Sequence, residues 1–377
     1  MNAARGGREG KRGHNGNESQ TLQALGKQDR KSELNCVGST VKILLSSYRF
    51  APAVGGIETV SHILAQEFRR SGHDVTVITA SAGVSPDEGY RLYRNPDKRQ
   101  LWALTRQCDI LFQNNISLNS IFPALLLRKP VAITCQTWLG WDGSGIDWSV
   151  RLKRFLVRRC HNIAISHAVA RYLPAHSPVI FNPYEDSDFS CFRSTPKDSD
   201  LVFMGRLVDN KGVDLLLQSV ARLRESGLYP SLTIIGDGPE RANLEVMCKN
   251  LGLDIQVRFL GVLSGALRGQ EVARHKIMVV PSRWPEPFGV VALEGIASGC
   301  AVVGSADGGL CDAIGPCGLL FPNGDVESLC AALTRLLGED SLRKQLTDAG
   351  PTHLVNFQPS IIAGKYIDEF ERIIAAQ

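Results

Sequence analysis

The chain has 377 residues, of which 44% are hydrophobic and 21% are charged, a composition that excludes wholesale disorder. At about 150 residues per domain, this length predicts two domains. The formal net charge is +4, but residues 1–35 hold seven basic and four acidic residues, so the nearly neutral remainder disfavours a general nucleic-acid-binding protein.

Residues 1–38 are expected to form a disordered polar tail, because the positive charges at the start have no apolar stretch behind them. For the same reason the segment does not resemble a secretory signal. No apolar run in the sequence approaches the roughly 20 residues that cross a bilayer. The ten cysteines include no CxxC pair, so we expect reduced thiols, no structural zinc and a cytoplasmic protein.

Short apolar runs alternate with amphipathic helical patterns after the tail. The first run, at 41–45, predicts a buried parallel strand, and a turn ending in Gly55 and Gly56 leads into a helix predicted over 57–70. The next strand, predicted over 74–79, completes a βαβ unit. Further strands are predicted at 110–112, 131–134, 162–165 and 179–181.

The second half repeats this plan after a polar linker at 194–199. Its predicted strands are 201–204, 232–235, 257–260, 277–280 and 301–303, and its predicted helices are 213–224, 239–250, about 265–274 and about 289–298. The alternation predicts an α/β protein with two doubly wound, Rossmann-like domains that face each other across a cleft. We expect the domains to span 39–195 and 196–357, with a C-terminal helix in 358–377 crossing back to the first domain.

Two loops, each placed between a predicted strand and a predicted helix, are suited to bind an anion. Gly55 and Gly56 allow backbone amides to approach an anion at the helix start, although a tight turn gives the same pattern. Arg206 and Lys211 lie in the loop after the strand at 201–204. Two cations fixed there can hold a diphosphate, and solvated surface cations are the plainer alternative.

A third loop contains two glutamates, eight positions apart, within the stretch PSRWPEPFGVVALEGIASGCAVVGS. Pro287 keeps Glu286 outside the helix that is predicted to begin near Gly289, so this carboxylate can bend over a ligand at the helix start. Glu294 lies among apolar residues inside that helix, where a carboxylate needs a partner. A ribose diol would supply two hydrogen-bond donors.

In these motifs the chain resembles the retaining, nucleotide-sugar-dependent glycosyltransferases of family 4, whose GT-B fold consists of two facing Rossmann-like domains. The resemblance covers about residues 41–375, and its strongest element is the pair Glu286 and Glu294. The supporting stretches, in the family's order, are GGIETVSHILAQEFRRSGHDVTVIT, FMGRLVDNKGVDLLL, IIGDGPE and GLLFPNGDVESL.

The resemblance implies roles for individual residues. Arg206 and Lys211 would hold the donor diphosphate, Glu286 would lie beside the transferred sugar, and these three are the predicted catalytic residues. Glu294 would bind the ribose. The other donor-side residues that the resemblance implies are Gly55, Gly56, Phe288, Gly289, Val290, Gly236 and Asp237.

One position departs from the family's pattern. Many members carry a histidine in the loop after the strand that corresponds to 131–134, and Gln136 stands there in this chain, or Cys135 if the register is shifted by one. Glutamine can donate a hydrogen bond to a sugar hydroxyl but does not titrate near neutral pH. A catalytically weak or inactive nucleotide-sugar-binding homologue is therefore an alternative. Gln136 and Trp138 are the acceptor-side candidates; Trp138, Trp141 and Trp148 either stack on an acceptor sugar or simply pack.

The sequence thus predicts sugar transfer from a nucleotide-sugar donor to a saccharide or lipid-linked acceptor in cell-surface polysaccharide or glycolipid biosynthesis, and the resemblance implies retention of the anomeric configuration. No metal or other cofactor is expected; Asp186 and Asp188 have the spacing of a metal-binding pair, but spaced aspartates are commonly solvated. A basic helix predicted at about 148–160 would suit peripheral contact with an anionic membrane, or it packs on the core with a solvated basic face. A nicotinamide-dependent dehydrogenase is disfavoured, because no predicted strand is followed by GxGxxG.

Overall fold

The structure, a computed structural model, describes residues 40–51, 55–83, 89–140 and 148–377. Residues 41–377 form one unit that contains two parallel sheets of six strands each. The first sheet has the order β3-β2-β1-β4-β5-β6. Its strands are β1 Lys42–Ser47, β2 Asp74–Thr79, β3 Arg91–Arg94, β4 Ile110–Asn114, β5 Val131–Cys135 and β6 His161–Ala164.

The second sheet repeats this topology with the order β12-β11-β10-β7-β8-β9. Its strands are β7 Ser199–Met204, β8 Leu232–Ile235, β9 Val257–Gly261, β10 His275–Val280, β11 Ala301–Ser305 and β12 Gly318–Phe321. In both sheets the central strands are nearly continuous buried apolar runs, as expected of parallel strands covered on two faces by helices. The first sheet, with the helices that pack on it, is called the first domain, and the second sheet, with its helices, is called the second domain.

Helices flank both sheets. Those of the first domain are α1 Gly56–Arg70, α2 Lys98–Gln107, α3 Leu118–Leu126, α4 Trp148–Val157 and α5 His167–Tyr172. Those that follow β7 are α6 Val213–Glu225, α7 Arg241–Asn250, α8 Ala266–Ala273, α9 Val290–Ala297, α10 Leu310–Ile314, α11 Val326–Gly338, α12 Asp340–Asp348, α13 Gly350–Leu354 and α14 Pro359–Ala375. Among the residues that the structure describes, no helix is both long and apolar enough to span a membrane.

The carboxyl edges of the two sheets face each other. Trp138, which follows β5, donates a hydrogen bond from Nε1 to the carbonyl of Pro285, which follows β10, at 2.7 Å. The backbone amide of His167, just beyond β6, donates to the carboxylate of Asp312, beyond β11, at 2.8 Å. Because each contact joins two segments that follow the carboxyl ends of strands, a ligand bound between the domains meets both sets of segments.

The last helix, α14, packs on the first domain. Tyr366 and Phe370 are fully buried and contact the rings of Phe68 on α1 and Phe112 on β4, with ring centroids 5.1–6.3 Å apart. The hydroxyls of Tyr366 and Thr134 lie 3.1 Å apart. The first domain therefore depends for its core on residues from both ends of the unit.

The sequence prediction located ten of the twelve described strands, and the helices at 57–70, 213–224, 239–250, 265–274 and 289–298, to within two residues. It extended the helix at 148–160 three residues too far and gave no bounds for most of the other helices. It missed β3 and β12, the strands at one edge of each sheet. It predicted a strand at 179–181, where Val179 forms only an isolated bridge with Ala164. It also placed Pro239 in the first turn of a helix that begins at Arg241.

Candidate functional site

The candidate site begins at the switch point of the second sheet, where the chain order reverses between the adjacent strands β7 and β10. In doubly wound sheets this crevice, beyond the carboxyl ends of the strands, is the usual place for a ligand. The loop after β7 carries Arg206 and Lys211, and the loop after β10 carries Glu286. Sheet topology therefore brings together groups that lie about 75 positions apart in the chain.

Close backbone packing fixes the first of these loops. It ends in a 3₁₀ turn, Asp209–Lys211, followed by Gly212 at φ +66°. A Cβ at Gly212 would lie 2.0 Å from the carbonyl oxygen of Pro281, so only glycine lets the two loops approach this closely. The carbonyl of Asn210 then accepts from the amide of Arg283 at 3.0 Å, which ties the two loops together.

Lys211 and Glu286 form an ion pair at the switch point. The distance from Lys211 Nζ to Glu286 Oε1 is 2.6 Å, and the hydroxyl of Ser282 donates to the same carboxylate oxygen at 2.6 Å. The side chain of Glu286 is 12% exposed and that of Lys211 is 31% exposed, so both groups are partly accessible to a ligand. Ser282 was not predicted, because its contact with Glu286 depends on how the loop folds back and leaves no pattern in the sequence.

Arg206 is exposed and, among the described residues, its side chain has no hydrogen-bond or ion-pair partner. The loop after β8 lies next to it, because a Cβ at Gly236, which has φ +138°, would lie 1.8 Å from the carbonyl oxygen of Gly205. Asp237 in that loop accepts from the amide of Gly238 at 2.7 Å and pairs with Arg241 at 3.2 Å. The structure thus places Gly236 beside the start of the Arg206 loop. The carboxylate of Asp237 is held by the amide of Gly238 and by Arg241 at the start of α7.

The start of α9 continues the site. Gly289, with φ +114°, is the N-cap of α9, and Val290 is its first residue. The first amides of α9 therefore follow Glu286 closely in the chain, after three intervening residues. The ring of Phe288 is 2% exposed and stacks on Phe181 of the first domain at 5.8 Å. The side chain of Phe288 therefore belongs to the contact between the domains, and only its backbone groups are left for the crevice.

Glu294 is buried on α9 opposite an arginine that the sequence analysis missed. Arg268 Nη1 on α8 lies 3.8 Å from Glu294 Oε1. Burial raises the pKa of Glu294 to about 7, and the positive charge of Arg268 opposes this rise. Near neutral pH this carboxyl therefore exchanges between its neutral and ionised forms, and hydrogen-bond donors from a ligand would favour the ionised form.

Arg268 connects Glu294 to the segment that joins the domains. Its Nη2 lies 3.3 Å from Asp188 Oδ2, and its guanidinium lies over the ring of Phe189 at 4.9 Å. Its Nε is buried without a hydrogen-bond partner among the described atoms. Asp186, the other member of the aspartate pair, accepts from the hydroxyl of Tyr184 at 2.6 Å. Both aspartates are thus engaged by protein groups.

In the first domain, Gly55 and Gly56 lie where β1 leads into α1, at the switch point between β1 and β4. The carbonyl of Gly55 accepts from the amide of Thr59 at 3.0 Å, which closes the first turn of α1. Asn114, the last residue of β4, donates to the carbonyl of Ile57 at 3.3 Å. The two glycines therefore face the crevice from the first domain.

Gln136 lies in a buried cluster of amide side chains behind these glycines. Its Nε2 donates to Asn114 Oδ1 at 2.8 Å and to Asn182 Oδ1 at 2.9 Å, and its Oε1 accepts from Asn182 at 2.8 Å. It is 5% exposed, so its amide is engaged within the protein. Asn114 and Asn182 were not predicted, because their convergence on Gln136 is a property of the folded sheet.

Trp138 is 8% exposed and bonds to the Pro285 carbonyl described above. Trp148 begins α4 and is 72% exposed, and Trp141 lies outside the described residues. Trp138 and Trp148 thus differ in exposure: the first is packed inside the protein, and the second is open to solvent. Within the described ranges, no three His, Cys, Asp or Glu side chains are grouped in a way that could hold a metal ion.

Two Rossmann-like domains that face each other through their carboxyl edges define the GT-B class of fold, and solved structures share it. HepE of Anabaena, solved with UDP and glucose, matches with a TM-score of 0.73 and 19% identity over 88% of this chain and 99% of that one. Sucrose-phosphate synthase of Thermosynechococcus elongatus matches with a TM-score of 0.73 and 21% identity, over 89% and 100% of the two chains. At these identities the likeness establishes the fold alone.

Family models identify the chain more closely. A model described as Glycosyltransferase Family 4 matches residues 54–183, and a model described as Glycosyl transferases group 1 matches residues 187–353. The chain belongs to the family 4 glycosyltransferases, which confirms the resemblance stated from its motifs.

Named relatives share parts of the sequence. The lipopolysaccharide core biosynthesis glycosyltransferase LpsE of Rhizobium meliloti is 35% identical over 179 residues, which are 46% of this chain and 50% of that protein. The D-inositol 3-phosphate glycosyltransferase of Corynebacterium jeikeium is 34% identical over 169 residues, which are 41% of this chain and 39% of that protein. This chain spans about half the length, or less, of several curated relatives that it matches.

Proposed function

We propose that the protein transfers a hexose from a nucleotide-sugar donor to a saccharide or lipid-linked acceptor, with retention of the anomeric configuration, in cell-surface polysaccharide or glycolipid biosynthesis. The observation that carries the proposal is the pair of Lys211 and Glu286 at the switch point, with Glu294 on the helix that follows. Relatives whose names describe lipopolysaccharide core synthesis support the biosynthetic setting.

The charges at the switch point suit the departure of a nucleoside diphosphate. Breaking the bond between the sugar and the phosphate builds negative charge on the phosphate, and Lys211, Arg206 and the first amides of α9 would meet that charge. A well-placed donor of this kind contributes about 3–4 kcal/mol to stabilising the transition state. With these groups the proposal needs no metal ion or other cofactor.

The two glutamates would contact different parts of the donor. Glu294 would accept hydrogen bonds from the ribose diol, while Glu286, held by Lys211 and Ser282, would lie beside the transferred sugar. We propose attack by the acceptor hydroxyl on the same face of the sugar that the phosphate leaves, with the leaving phosphate taking the proton. Closure of the two domains would exclude water and suppress hydrolysis of the donor.

We further propose that the protein acts in the cytoplasm at the surface of an anionic membrane, where lipid-linked acceptors reside. The exposed side chains on α4 support this: Trp148 is 72% exposed and Phe155 is 49% exposed, and exposed Arg151 lies between them on the same helical stripe. Aromatic and basic side chains on one face are typical of helices that lie in the membrane interface.

The test is sugar transfer from a panel of nucleotide sugars in the presence of EDTA. Lys211→Ala and Glu286→Gln are expected to lower turnover by about a hundredfold or more. Lys276→Ala is the matched control, because Lys276 forms the same kind of pair with Asp200, at 2.8 Å, between the same two strands at their amino ends. Loss of activity in EDTA would refute the metal-free mechanism, and inversion at the anomeric carbon, seen by NMR of the product, would refute retention.

A second candidate is a homologue that binds a nucleotide sugar without transferring it. The engagement of the Gln136 amide by Asn114 and Asn182 favours this candidate, since the side chain in place of the histidine of the family's pattern already has protein partners. Calorimetric binding of a nucleotide sugar, with neither transfer nor hydrolysis by the wild-type protein, would establish it and overturn the first proposal.

A further inference from the structure

The loop that carries Glu286 is held mainly by groups of its own domain. The amide of Arg283 bonds to the carbonyl of Asn210 at 3.0 Å, and the hydroxyl of Ser305 donates to the carbonyl of Ser282 at 2.7 Å. The carbonyl of Glu286 itself accepts from the amide of Gly309 at 2.6 Å. These contacts anchor both sides of the loop to neighbouring strands of the second sheet.

The peptide immediately before Glu286 is instead held by the other domain. The carbonyl of Pro285 accepts a hydrogen bond from the indole Nε1 of Trp138, at 2.7 Å. Prolines at 285 and 287 restrict the backbone on both sides of Glu286, so a displacement of the Pro285 peptide is passed to the glutamate with little local absorption.

The indole is itself fixed from behind. The ring of Tyr172 meets that of Trp138 edge to face, with centroids 5.2 Å apart and planes at 86°. The hydroxyl of Tyr172 donates to the carbonyl of Leu139 at 2.8 Å and accepts from Arg154 on α4 at 2.9 Å. A continuous series of contacts therefore runs from α4 through Tyr172 and Trp138 to the peptide beside Glu286.

We infer that Trp138 is a positioning residue: its indole N–H holds the Glu286 loop from the first domain, so that contact between the two domains completes the alignment of the catalytic carboxylate. This inference rests on the proposed function, and it gives Trp138 a role different from stacking on an acceptor sugar. Arg154 and Tyr172 extend the support to α4, the helix with the exposed aromatic and basic stripe. A surface that α4 contacts would thereby be linked mechanically to the donor site.

The test uses Trp138→Phe, which keeps an aromatic ring beside Tyr172 but removes the N–H donor. The loss of one neutral hydrogen bond is expected to lower kcat about three- to tenfold. The Kd for UDP, measured by calorimetry, should stay within about twofold of wild type, because Trp138 is not among the predicted diphosphate and ribose contacts. Trp102→Phe is the matched control, since Trp102 lies on α2 in the same domain and is 38% exposed.

Hydrogen exchange followed by mass spectrometry supplies a measurement that needs no turnover. In Trp138→Phe, peptides that cover the Glu286 loop, residues 282–289, should exchange faster, while peptides from β7 and β8 exchange as in the wild type. Faster exchange confined to this loop, with reduced kcat and unchanged UDP affinity, would support the inference. Unchanged exchange and kcat, or equal losses of kcat, UDP affinity and thermal stability, would overturn it. A wild-type protein that transfers no sugar would defeat the proposed function, while the exchange data would still decide the role of Trp138.

Discussion

Glu294→Gln is expected to stabilise the protein above neutral pH while it weakens nucleotide binding. Burial raises the pKa of this carboxyl from its ordinary 4.5 to about 7. Between these two values the folded state binds a proton that the unfolded state has already released. Stability contributed by the protonated group is therefore fully present below the unfolded pKa and is lost as the pH rises through the folded pKa.

The size of this effect follows from the shift in pKa. Each pKa unit corresponds to about 1.36 kcal/mol, so the ionised, buried Glu294 costs the folded state about 3 kcal/mol above pH 7. Glutamine has nearly the same shape but no charge, and Arg268 keeps its partner Asp188 in the variant. Glu294→Gln should thus be more stable than the wild type by up to about 3 kcal/mol at pH 8 and about equal to it at pH 4.5.

The assay is urea unfolding at both pH values, with Glu225→Gln as the control, because Glu225 is an exposed glutamate at the end of α6. Calorimetry with UDP at pH 8 should show weaker binding to Glu294→Gln, since the amide offers the ribose diol a poorer acceptor than a carboxylate. The reasoning fails if the variant and the wild type are equally stable at pH 8, or if their difference is the same at both pH values.

Two further changes test the first domain. Gln136→Leu should lower the free energy of unfolding by about 1–3 kcal/mol in urea, because Asn114 Oδ1 and the side-chain amide of Asn182 lose their hydrogen bonds to Gln136 in a buried place. A loss no larger than that of the exposed control Gln107→Leu would contradict this account. Joint replacement of Trp148 and Phe155 by serine should weaken binding to vesicles that contain anionic lipid by about tenfold or more in a sedimentation assay. Equal loss in Tyr229→Ser, which removes a 69% exposed ring from the second domain, would point to non-specific adsorption.

The sequence predicted those elements whose signal is local. The strand at 74–79 was predicted with its observed bounds, because a buried parallel strand is a continuous apolar run between turns. The strands Arg91–Arg94 and Gly318–Phe321 escaped detection, since each has four residues, lies at a sheet edge and has little buried surface to mark it. The apolar run at 179–181 gave the opposite error, because burial against other elements produces the same pattern as a strand.

The site residues also differ in whether the sequence carries a local signal for them. Lys211 and Glu286 could be predicted to meet, because each lies between a strand and the helix that follows it, and a doubly wound topology places the two strands side by side. The contact between Arg268 and Glu294 could not be predicted, since the sequence of α8 does not show that the guanidinium of Arg268 reaches Glu294. The role of Trp138 also depends on how two distant loops meet, and that geometry is set by the whole fold rather than by any local stretch.

The return of α14 to the first domain constrains the order of events during synthesis. The second domain is a contiguous stretch, so its sheet can assemble as soon as that stretch leaves the ribosome. The first domain emerges earlier, but α14, which carries Tyr366 and Phe370, is translated only at the end. Until α14 packs on the first domain, Phe68 and Phe112 lack these two aromatic contacts. The first domain is therefore translated first but completed last. Until α14 is translated, the nascent chain exposes the apolar surface around Phe68 and Phe112, which a chaperone can shield.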